Sequence, residues 1–293
     1  MAVQKKQNDF NHDGYSDVLW INYGANQIGD WLMGSGNSAT WNVLGMPNGW
    51  TVAGTGDFNG DGTSDILWVN YSANQIGDWT MVNNQATWHV IGSPNGWLVA
   101  GVGDFDGNGT SDILWINKAA NQIGDFTMVN NQATWHMLGN PNGWDVAGTG
   151  DFDGNGTTDI LWINKAANQI GDWTMVNNNA TWHLLGAPNG WDVAGTGDFN
   201  GDGTTDILWV NYAANQIGDW TMSGNNATWH VIGSPNGWKV AGTGDFNGDG
   251  TTDILWIHQA SNQIGEFTMS NNNATWVLLG KPNGWDVATM NAV

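Results

Sequence analysis

The chain has no cysteine and no arginine, and its six lysines stand against 27 acidic residues. Without thiols there are neither disulfides nor thiolate metal sites. Without clustered cations, and with a net charge of -21, the chain has nothing to grip phosphate, so nucleic acid is not an expected partner. No stretch approaches the length of apolar residues that a helical membrane span needs. The opening M-A-V-Q-K-K-Q-N has no apolar core of a signal peptide, and helical periodicity appears nowhere.

What the chain does have is repetition. The nonapeptide D-F-N-G-D-G-T-S-D at Asp57 to Asp65 returns six times, starting at Asp9, Asp57, Asp104, Asp151, Asp198 and Asp245, with steps of 48 residues and then 47. A period of this length means a solenoid, a propeller or an array. Because it runs unbroken and nothing between the copies reads as a linker, residues 1–293 are expected to form one domain, with 1–7 as a tail.

Each nonapeptide carries Asp at positions 1 and 9, Asp or Asn at 3 and 5, Gly at 6 in all six copies, and Gly at 4 in all but the first. That pattern wraps carboxylate and amide oxygens around one hard cation, and Ca²⁺ is the cation that takes six to eight oxygens in a flexible shell. The expected ligands are Asp9, Asn11, Asp13 and Asp17 in the first loop, and Asp57, Asn59, Asp61 and Asp65 in the second. In the third and fourth the middle pair is swapped, giving Asp104, Asp106, Asn108 and Asp112, then Asp151, Asp153, Asn155 and Asp159. The fifth offers Asp198, Asn200, Asp202 and Asp206, and the sixth Asp245, Asn247, Asp249 and Asp253. Every loop keeps three Asp through the swap, as a ligand sphere requires and a turn does not. The competing reading is that Asp-Gly and Asn-Gly simply make hairpin turns. Up to six Ca²⁺ would offset twelve of the net negative charges. The first loop departs from the rest, with His12 in place of Gly and Tyr15 in place of Thr.

Between loops the pattern is four short strands. In the second repeat they are D-I-L-W-V-N at Asp65 to Asn70, Q-I-G-D-W-T-M-V at Gln75 to Val82 and Q-A-T-W-H-V-I-G at Gln85 to Gly92. Then Pro94-Asn95-Gly96 turns the chain into W-L-V-A-G-V-G-D-F at Trp97 to Phe105. Four strands in each of six copies predict an all-β, six-bladed propeller. The C-terminal W-D-V-A matches the start of a first strand, whereas Gln4, Lys5 and Lys6 do not, so Asp286 to Asn291 is expected to close the ring.

The stretch W-D-V-A-G-T-G-D-F-N-G-D-G-T-T-D-I-L-W, Trp191 to Trp209, resembles the FG-GAP/VCBS repeat family. The resemblance implies a propeller with calcium at positions 1, 3, 5 and 9 of each loop. It is similar both to the calcium-bearing blades of integrin α chains and to propeller lectins that hold sugars between blades. Loops of this type need the calcium concentrations found outside cells, so an extracellular setting is expected, and a monomer with glycan partners is expected too. The near identity of the copies implies either recent amplification or an engineered repeat.

Catalysis is not expected, because every carboxylate recurs in the same setting, whereas an acid and base pair needs environments that differ. The preferred reading is a multivalent carbohydrate-binding module; the alternative is an adhesion or designed scaffold propeller with no ligand beyond calcium. Counting back from the Asn83-Asn84 turn sets Asp78 opposite His89 and Trp79 opposite Trp88. The same count pairs Asp125 with His136, Asp172 with His183 beside Trp173, and Asp219 with His230 beside Trp220. An aromatic face with an acceptor and a ring nitrogen is what a sugar requires, so these residues are the expected carbohydrate site. A second place for a sugar face is the Trp after each P-N-G turn. Most of the 22 Trp are expected to pack between blades.

Overall fold

In the computed structural model, which describes residues 8–288, six separate four-stranded antiparallel sheets stand in a ring. One blade shows why. Asp65–Asn70 pairs with Gln75–Val82, and this pairs with Gln85–Gly92, so that Val82 faces Gln85, Trp79 faces Trp88 and Asp78 faces His89. Asn83 and Asn84 both sit at positive φ, 49° and 61°, the geometry a two-residue hairpin needs. The first strand, Thr51–Gly56, runs along Asp65–Val69. First strands of neighbouring blades touch, which places them at the hub and the fourth strands at the rim.

The first strand is shorter than the sequence suggests. In the third blade it covers Leu98–Gly103, because the Trp97 amide already closes the P-N-G turn on the Pro94 carbonyl and Asp104 belongs to the loop.

The core lies between blades. Leu19, Ile21 and Ile28 of the first blade pack against Ile66, Trp68 and Met81 of the second, with Phe10 from the preceding loop. The second strand of each blade is apolar on both faces because a neighbour covers each side, and Trp68 and its five equivalents are 1–2% exposed. Gly77 permits the close approach of the fourth strand: a Cβ there would stand 2.3 Å from the His89 carbonyl oxygen and 2.6 Å from the Trp88 ring.

The ring closes with strand Asp286–Val287, which pairs with the first blade as Val287 to Trp20 and Asp286 to Ile21, and the Ala288 amide donates to the Leu19 carbonyl. Residues 289–291 of the expected closing segment, and the expected tail 1–7, lie outside the described residues.

Candidate functional site

Each nonapeptide is a compact loop pinned by the buried ring of Phe58 or its equivalent. Asp57 accepts from the amides of Gly60, Asp61 and Gly62, Asp61 accepts from Thr63, and Asp65 accepts from Phe58 through one oxygen and Met81 through the other. Gly60 and Gly62 hold φ of 82° and 90°, which aims these amides inward. In the first loop His12 adopts φ of 61° at the Gly60 position and turns its ring nitrogen to the Gly62 carbonyl of the next loop.

The donor set suits a hard cation. In the third loop an oxygen from each of Asp104, Asp106 and Asp112 lies within 4.8 Å of the others, and the fourth loop repeats this with Asp151, Asp153 and Asp159. Lys118 and Lys165 pair with Asp145 and Asp192, outside the loops. Burial, opposed by its two amide bonds and aided by Asp106 and Asp125, pushes Asp112 up to about 8, a position that a bound cation would reverse. In both arrangements the Asn amide donates to the neighbouring Asp, Asn59 to Asp61 at 3.0 Å and Asn108 to Asp106 at 3.1 Å. All candidate ligands are oxygens, so Ca²⁺ fits and a thiophilic metal does not.

The loops are linked around the ring. The Ser111 amide donates to the Asp57 carbonyl at 2.7 Å, and the Asp57 amide donates to the Ser111 hydroxyl at 3.0 Å. The amide-to-carbonyl link recurs at every junction, ending with Ser16 and Asp245.

The expected carbohydrate residues are only partly brought together. The register places Asp78 opposite His89, Asp125 opposite His136, Asp172 opposite His183 and Asp219 opposite His230. Yet all four Asp are 0% exposed, so none can offer an acceptor to a sugar, and that part of the expectation is corrected. The next blade covers them. The hairpin-tip Asn131 donates to Thr80, whose hydroxyl donates to Asp78, while the His89 ring nitrogen lies 4.0 Å from that carboxylate. Burial raises Asp172 to about 7 and Asp125 and Asp219 to about 6.

The opposite face of the blade carries the cavity. At the junction of the fourth and fifth blades a space of about 270 Å³ is lined by Trp191, Trp209, Trp220 and Trp229, with Gln216, Asn189 and Val231 at its edges. The rings meet edge to face, Trp191 to Trp229 and Trp209 to Trp220, both at 4.9 Å. A second cavity of about 250 Å³ repeats the plan at Trp238, Trp256, Phe267 and Trp276. Trp41 with Trp285, Trp50 with Trp88, Trp97 with Trp135 and Trp144 with Trp182 reproduce the outer pair at 4.8 Å. The P-N-G turn that forms the lip is fixed by paired amides, Asn168 to Asn189 at 3.0 Å and the Asn189 main chain to Asn168 at 2.9 Å.

The FG-GAP-like repeat pattern matches residues 9–68, 57–115, 151–209 and 198–256, more than half of the chain. The chain belongs to the FG-GAP-like repeat family. A search of curated proteins returned no match. Among solved structures the FG-GAP propeller is similar to a chain of a nidogen/laminin complex, with a TM-score of 0.59 at 12% identity over 94% of this chain and 98% of that one. It is similar to a virginiamycin B lyase from Staphylococcus aureus at 0.50 and 19%, over 90% and 81% of the two chains. A functionally unknown protein from Desulfotomaculum acetoxidans scores 0.54 at 13%, over 89% and 78%. At these identities the likeness is one of fold, and the fold serves a lyase as well as a component of a protein complex.

Of the residues expected at a sugar, Trp220 lines a cavity of this FG-GAP propeller, and Trp79 and Trp173 hold the same place in their repeats. Gln216, Asn189 and the fourth-strand Trp229 and Val231 were not expected there. The signal in the sequence was the alternation of Trp229 and Val231, two apolar residues on one face of a strand at the rim.

Proposed function

We propose that this FG-GAP propeller is a non-catalytic, calcium-stabilised module that binds neutral saccharides in the Trp-lined cavities between its blades. The observation that carries the reading is the cavity at Trp191: four indoles around about 270 Å³, with amides of Gln216 and Asn189 and no charged side chain in its lining. Indole faces bury the apolar C–H face of a pyranose, and a few fixed amides orient its hydroxyls. The volume lies near the lower limit of about 300 Å³ for ligand pockets and suits one sugar ring. Six weak sites on one ring would act together on a multivalent glycan.

Calcium belongs to the same reading. The carboxylates and amides at positions 1, 3, 5 and 9 would hold it, and it would neutralise the loops that link blade to blade at one end of the ring. Loops of this kind work at the calcium concentrations found outside cells, which supports an extracellular setting.

The test is a glycan array followed by titration of the best hit against the parent and Trp191→Ala and Trp229→Ala variants. Loss of one site from the stoichiometry in each variant supports the reading. Unchanged stoichiometry, or no glycan bound at all, overturns it.

A further inference from the structure

The six junctions share the outer Trp pair but not the residues at its lip. Two residues stand at the lip of the cavity at Trp191: Ala187, just before the P-N-G turn, and Val231, on the outermost strand. At the corresponding places the other junctions pair Met46 with Val90, Ser93 with Met137, Asn140 with Leu184, and Ser234 with Leu278. The junction that closes the ring pairs Lys281 with Val43. Its four indoles match those at Trp191, since Trp41 meets Trp285 at 4.8 Å and 70°, and Trp20 meets Trp31 at 4.8 Å and 68°. Lys281 is exposed and precedes Pro282, so it holds the chain position at which Ala187 and Ser234 line their cavities.

We propose that the ring-closing cavity takes a carboxylate-bearing saccharide, with Lys281 as the residue that sets this preference, while the other five take neutral rings. The inference rests on the saccharide reading above. The chain as a whole repels anions, with six basic residues against 27 acidic ones, so a sugar acid is disfavoured at a lip that offers only apolar or neutral groups. Lys118 and Lys165 are already tied to Asp145 and Asp192. Lys281 alone among the six positions before proline adds a cation beside an outer Trp pair, where a carboxylate projecting from a pyranose ring stacked on that pair would meet it. Because the pair is exposed, its effect is bounded at about fivefold in affinity and weakens with salt.

The experiment uses the full chain with saturating calcium and pairs of methyl glycosides that differ only by a carboxylate, glucuronide against glucoside and galacturonide against galactoside. Binding is followed at each junction through the indole N–H signals in NMR, before and after Lys281→Met and Lys281→Arg. The expected result is that one acid of a pair shifts Trp41 and Trp285 at up to about fivefold lower concentration than its neutral partner in low salt. That advantage should disappear in Lys281→Met, return in Lys281→Arg, and be absent at the other five junctions. If neutral sugars bind at all junctions and the acid shows no preference for the closing one, the role of Lys281 is overturned and the saccharide reading stands. If no glycoside moves any indole signal, both fail.

Discussion

Asn37, at the hairpin tip of the first blade, donates its side-chain amide to Glu266, buried in the third strand of the sixth. At three other junctions the tip Asn reaches a Thr, Asn131 to Thr80, Asn178 to Thr127 and Asn272 to Thr221, while Asn84 reaches Asp30 and Asn225 meets the His183 ring nitrogen at 3.4 Å. The closing junction therefore has its own polar contact, in addition to the strand Asp286–Val287.

Closure should be testable from both sides. Glu266→Ala leaves Asn37 without its buried acceptor and is expected to cost about 1 to 3 kcal/mol, whereas Glu266→Gln should cost less. Truncation after Gly284 removes the closing strand and exposes an edge, which invites pairing between chains. Thermal melting and light scattering check both. A truncated chain that melts like the parent and stays monodisperse would refute closure by this strand.

Calcium should raise the melting temperature. A ligand that binds only the folded chain adds about 2.7 kcal/mol per site at a hundredfold excess over Kd. Chelation should lower stability, and Asp104→Ala and Asp151→Ala should each remove one ion as counted by elemental analysis. If chelation changes nothing and no calcium is found, the loops are turns held by their own amides.

Acid should stabilise the junctions. Burial raises Asp30 to about 6 and Glu266 to about 7, above 3.8 and 4.5 for the free groups. The folded chain then holds protons that the unfolded chain has released, so these groups contribute most at the acid end. Their contribution falls as pH rises from about 4 to about 7 and is level beyond. Each unit of upward shift corresponds to about 1.4 kcal/mol. Melting at saturating calcium across this window should show the fall, and Asp30→Asn with Glu266→Gln should flatten it. A parent curve that rises with pH would contradict the assignment.

Gly77 should resist substitution. Its extra methyl would meet the His89 carbonyl oxygen at 2.3 Å and the Trp88 ring at 2.6 Å, neither of which can move without opening the hairpin. Gly77→Ala is expected to destabilise by about 1 to 3 kcal/mol, as overpacking does. Denaturant unfolding measures it. A loss below about 0.5 kcal/mol, the range of surface changes, would show that the hairpin gives way freely.

The amino-acid sequence by itself determined the local geometry. The step of 47 residues set the number of blades, the Asn83-Asn84 turn set Asp78 opposite His89, and the spacing of Asp and Gly set the six loops. These follow from contacts within one repeat, where chain distance dictates spatial distance. Which face of a blade meets water was decided only by the tertiary structure. Asp219 and Trp220 alternate on one strand, and nothing in that strand says that the next blade covers the carboxylate while a cavity opens on the aromatic side. The meeting of Trp191 with Trp229, 38 positions along the chain, likewise depends on how four strands and a P-N-G turn fold back across a blade. Burial is a property of the whole ring, because every blade's environment is supplied by its neighbours.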